Sequence, residues 1–83
     1  MTNLIQAAQN DAALADRNGW AVDVIDTNAL QFRRGNATIE AFYSGASNGV
    51  YAGFIQTDQL ITSLGTRRND TTPRQLVQDA LAS

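Results

Sequence analysis

Apolar positions along this chain recur first at helical spacing, then at alternate residues, then at helical spacing again. Leu4, Ile5, Ala8, Ala12 and Ala15 fall close to one stripe of a helix, and Thr2 is placed to cap it. The pattern predicts a helix over 2–18, stopped by Asn18 and Gly19. From Trp20 the period changes to two. Trp20, Val22 and Val24 alternate with Ala21, Asp23 and Ile25; Leu30 and Phe32 alternate with Gln31 and Arg33. Ile39, Ala41 and Tyr43 alternate with Thr38, Glu40 and Phe42, and Val50, Ala52 and Phe54 with Tyr51, Gly53 and Ile55. Helical spacing returns at Leu76, Val77, Ala80 and Leu81, after Thr72 as cap and Pro73 in the first turn. Leu60, Ile61 and Leu64 read as a short helical turn ended by Gly65.

Turn chemistry fixes the middle of the chain. Gly35 and Asn36 suit a two-residue hairpin loop. Such a loop sets Arg34 opposite Ala37, Phe32 opposite Ile39 and Leu30 opposite Ala41. One face then carries Leu30, Phe32, Ile39, Ala41 and Tyr43; a one-residue slip would mix this set with polar residues. The expected fold is a single α+β domain over 1–83, a four-stranded antiparallel meander with both terminal helices on one face (α-β-β-β-β-α). The expected core is Val22, Val24, Leu30, Phe32, Ile39 and Phe54 with Leu4, Ile5, Leu76, Val77 and Leu81. Gly53 inside a strand marks a bulge or the close approach of another backbone.

Composition narrows the chemistry. The 83 residues bury a thin core, with roughly 4,800 Å² of surface expected for the folded chain. There is no cysteine, histidine or lysine. Thiolate metal sites, thiol nucleophiles, imidazole bases and Schiff-base chemistry are therefore excluded. All six cations are arginines, which with abundant alanine suits a GC-rich genome and an accessory protein of a phage or mobile element. The net charge of −2 is unlike that of a protein living on phosphate backbones. No membrane span or signal-peptide pattern is present, so the expectation is cytoplasmic. No cofactor, metal site or catalytic set is expected. Asp11, Asp16, Asp23 and Asp26 read as solvated surface acids, since no pair converges on one face.

Two candidate surfaces remain. With Tyr43 opposite Val50, Phe42, Tyr51 and Ile55 point away from the helices, and Arg33 and Glu40 rim them. Such a patch suits self-association as a homodimer, or one protein partner. The alternative is nucleic-acid binding through Arg67 and Arg68. The helix–strands–helix order resembles the topology of double-stranded RNA-binding domains. That resemblance implies a basic cluster opening the last helix. Here that helix opens with Pro73, Arg74 and Gln75 and carries Asp79. Arginines paired with Asp58, Asp70 or Glu40 are the plain alternative.

Overall fold

The computed structural model describes residues 4–44, 49–58, 60–64 and 72–83. The elements are α1 (Gln6–Arg17), β1 (Ala21–Asp26), β2 (Ala29–Arg34), β3 (Ala37–Ser44), β4 (Gly49–Gln56), β5 (Ile61–Ser63) and α2 (Pro73–Ala82). The strands form one antiparallel sheet in the order β1-β2-β3-β4-β5. The α+β class and the meander follow the alternation. The described residues form five strands rather than four.

The β2–β3 hairpin has the expected register, with Arg34 opposite Ala37, Phe32 opposite Ile39 and Leu30 opposite Ala41. Gly35 takes the positive φ of 59° that the tight turn requires. Leu30, Phe32, Ile39, Ala41 and Tyr43 are all buried. They meet Ala7, Ala8 and Ala15 of α1 and Val77 and Leu81 of α2 in one core, so both helices cover the same sheet face. The alanine stripe lets α1 lie close over β1 and β2, while α2 packs beside it over β4. The accessible surface of the described chain is 5018 Å², near the value expected for its mass.

The extra strand is β5. The segment expected as a helical turn is extended, because the Thr57 N–H closes a tight turn on the Leu60 carbonyl at 2.9 Å. That turn returns the chain along β4, with Ile61 opposite Gln56 and Ser63 opposite Phe54. Leu64 then drops into the core, its N–H bonded to the Gly53 carbonyl. Helix α1 also starts later than expected, with Ile5 rather than Thr2 at its N-cap position. The Ile5 N–H donates instead to Asn28 Oδ1 at 2.9 Å, which ties the chain to the β1–β2 turn before the helix begins. Thr2 itself is outside the described residues. Helix α2 starts as predicted: Thr72 Oγ1 accepts from the Gln75 N–H at 3.2 Å, and Pro73 occupies the first turn.

Two core assignments are corrected. Val24 is 49% exposed, because β1 is an edge strand whose ladder is interrupted between Val24 and Asp26 and whose half-buried contact is Val22. Phe54 lies on the face away from the helices. The β3–β4 register shifts between Phe42 and Tyr43: Tyr43 opposes Val50, yet Phe42 opposes Ala52. Tyr51 is the extra residue of this bulge, and beyond it the parity of β4 reverses. Gly53, two residues on, is the close backbone approach rather than the bulge itself. Its φ is +129°, and a Cβ there would overlap the Glu40 carbonyl oxygen.

Candidate functional site on the outer sheet face

Register decides what the uncovered face carries. Across its middle run Asp23, Gln31, Glu40, Phe54 and Ser63, each opposite the next. On one side lies Ala29, Phe42 and Ala52, and on the other Ala21, Arg33, Thr38, Gln56 and Ile61. Phe42 is diagonal to Phe54, and Phe54 is diagonal to Ile61. Diagonal neighbours in an antiparallel sheet lie about 7–8 Å apart, within reach of large side chains. The three form an oblique apolar ridge: Phe42 and Phe54 half-buried, Ile61 65% exposed. An open depression of about 410 Å³ adjoins its β5 end, lined by Gln56, Thr57, Asp58, Leu60 and Ile61.

The polar residues are graded away from the ridge. Glu40 stands next to it, its Oε2 accepting from Gln31 Nε2 at 3.1 Å. Farther out, Arg33 meets Asp23 at 3.5 Å with both side chains largely exposed. Among the described residues Glu40 has no cation within ion-pair distance, whereas Asp11 and Asp23 each have one.

This arrangement revises the candidate patch. Phe42, Arg33 and Glu40 share the outer face as expected. Ile55 does not: the bulge turns it inward opposite Ile39, where it packs against the core. The Tyr51 side chain is outside the described residues. Phe54 and Ile61 are the members that alternation missed. The bulge at Tyr51 reverses which neighbours face out, and the alternation itself does not mark it. Arg67, Arg68 and Asp70 are outside the described residues.

The inner face holds a different polar group. Asp11 is fully buried, not solvated. Its carboxylate accepts from Tyr43 Oη at 2.7 Å, from Arg74 Nε at 3.3 Å and Nη2 at 3.2 Å, and from Gln78 Nε2 at 3.2 Å. Arg74 and Gln78 are four apart, so both sit on the α2 face turned to α1. Burial, and then the hydrogen bond to Asp11, push the Tyr43 hydroxyl well above the usual tyrosine range. The far end of α2 is held by Trp20 Nε1, which donates to the Leu81 carbonyl at 3.1 Å. Arg34 stacks 4.5 Å from the Trp20 ring centroid and donates to the Asn18 and Ser83 carbonyls. Arg34 and Arg74 therefore serve the fold.

Among the described residues no group of three acids, histidines or cysteines converges as metal ligands, and no helix is long and apolar enough to cross a membrane. Compared with known proteins, the chain matches no family, no curated sequence and no solved structure.

Proposed function

We propose that this chain is a non-enzymatic protein-interaction module whose working surface is the outer sheet face, with a second copy of itself as partner. The observation that carries this reading is the placement of the Phe42–Phe54–Ile61 ridge on the face opposite both helices. Contiguous apolar side chains on a small domain mark interfaces, and phenylalanine is favoured there. A chain without histidine, cysteine or lysine also lacks the usual bases and nucleophiles. The nucleic-acid alternative is less well supported. Arg33, Arg34 and Arg74 each engage partners within the chain, and the net charge is negative.

Light scattering on eluting protein tests the proposal. The wild type should elute at twice the chain mass. Phe54→Asp should elute as a folded monomer with unchanged far-ultraviolet circular dichroism, since Phe54 lies outside the intrachain core. A wild type that is monomeric at millimolar concentration would refute self-association.

A further inference from the structure

We propose that the outer edge of β5 takes an extended peptide strand from another protein, antiparallel to β5, with cationic residues at its C-terminal end. The site goes beyond the outer-face reading: it uses the rim of the sheet, and only Ile61 belongs to both surfaces.

The two edges of the sheet differ. β1 carries Asp23 and Asp26, and its ladder to β2 is interrupted between Val24 and Asp26. Charges and bulges are the usual means of keeping an edge strand from pairing further. β5 has neither: Ile61, Thr62 and Ser63 are uncharged, and their register to β4 runs unbroken. The hydrogen bonds show which of its groups face outward. At the two ends of the β4–β5 hairpin, the Leu64 N–H donates to the Gly53 carbonyl and the Thr57 N–H to the Leu60 carbonyl. Alternate residues of an antiparallel ladder face the partner strand, so Leu60, Thr62 and Leu64 turn their backbone groups to β4. Ile61 and Ser63 turn theirs outward, and among the described residues those groups have no partner. A residue placed opposite Ile61 or Ser63 exchanges both N–H to carbonyl bonds with it, which is how a peptide adds a strand to a sheet.

Side chains and area select the occupant. Leu60 and Ile61 are each 65% exposed and border the open depression of about 410 Å³ at the turn end of β5. Asp58 lines the same depression. It accepts from Asn36 Nδ2 at 3.3 Å, and no described cation pairs with it. An antiparallel peptide therefore sets apolar residues against Ile61 and Leu60, and then a cation at Asp58. A second copy paired through its own β5 covers far less than the roughly 800 Å² per partner of a standard interface, and β5 brings no cation.

The probe is a capped hexapeptide of two threonines, two valines and two arginines in that order, titrated into isotope-labelled protein. Its first valine falls opposite Ile61 and its second opposite Leu60. Saturable shifts of the Ile61 and Ser63 amide resonances are expected, larger than those at Asp23 and Val24. N-methylation of the first valine, whose N–H faces β5, should weaken binding about tenfold. N-methylation of the second threonine, whose N–H faces away, should leave binding within about twofold. Ser63→Pro removes an outward donor without touching the β4 ladder, and should abolish binding with unchanged far-ultraviolet circular dichroism. Asp58→Asn should weaken binding roughly two- to fivefold and reduce its salt dependence. No shift at Ile61 and Ser63 with millimolar peptide overturns the proposal, as does equal weakening by the two methylations. If the wild type forms assemblies larger than a dimer and Ser63→Pro reduces them, the occupant is a second copy and the peptide assignment falls. Each of these outcomes leaves the outer-face dimer to be decided separately by Phe54→Asp.

Discussion

The two sheet faces each hold a carboxylate, and the two are treated in opposite ways. On the inner face Asp11 is fully buried and takes four hydrogen bonds from Tyr43, Arg74 and Gln78. On the outer face Glu40 is half-buried, with one amide donor and no cation among the described residues. A charge removed from water is tolerated when its lone pairs are filled and a counter-ion is close. The inner face meets both conditions: among the described residues no buried side-chain nitrogen or oxygen lacks a partner. The outer face meets them in part. The first pattern belongs to a packed interior, and the second to a face left open to solvent.

The largest effect expected from this contrast lies at Asp11. Asp11→Ala strands the partly buried Arg74 guanidinium and removes the acceptor of Tyr43 and Gln78. Breaking such a pair by removing one partner costs about 3–5 kcal/mol, a large share of a small domain's stability. Glu40→Ala should change monomer stability by no more than about 0.5 kcal/mol, as a surface substitution does. Urea unfolding of both variants in the monomeric Phe54→Asp background separates the two cases. Equal losses would break the comparison.

A smaller effect tests how the two faces are kept apart on β4. Gly53→Ala places a methyl against the Glu40 carbonyl and forces alanine into a φ of +129°. Strain of this kind costs about 1–3 kcal/mol. The variant should be destabilised by that amount, and should shift the Glu40 and Ala41 amide resonances more than those of the β2–β3 turn. An unperturbed variant would mean that the close approach of β3 to Gly53 tolerates a side chain.

The β4 bulge separates what alternation reveals from what it conceals. The β2–β3 pairing was legible because the Gly35–Asn36 turn and the apolar alternation independently demand one register. The inward set of β3, the Thr72 cap and the two apolar helix stripes were legible for the same kind of local reason. In β4 a period of two runs through the sequence, but one inserted residue reverses its meaning halfway. Ile55 and Phe54 therefore exchanged faces. Asp11 was hidden for another reason. Its partners are 32, 63 and 67 residues away in the chain, so no local spacing marks it as buried. β5 was obscured by its three-residue length, at which helical and extended patterns look alike.

The smallest effect is a pH dependence that isolates the inner cluster. Burial and the Asp11 carboxylate both favour the neutral Tyr43 hydroxyl, so its folded pKa lies above its unfolded value of about 10. The sign follows from linkage. The stabilisation is fully present below the unfolded pKa and declines as pH rises above it, because the unfolded chain loses the proton first. Few other groups interfere. With no lysine, cysteine or histidine, and with arginine charged throughout, the only side chains of the unfolded chain that titrate near pH 10 are its two tyrosines. Tyr43→Phe should cost about 1–3 kcal/mol at pH 7, the value of a hydrogen bond to a charged group. It should also flatten the alkaline fall in the urea midpoint. Glu40→Gln should leave that fall unchanged, because Glu40 lies on the other face. An alkaline slope that survives in Tyr43→Phe would transfer the effect away from the Asp11 cluster and remove the pH signature that distinguishes the finished face from the open one.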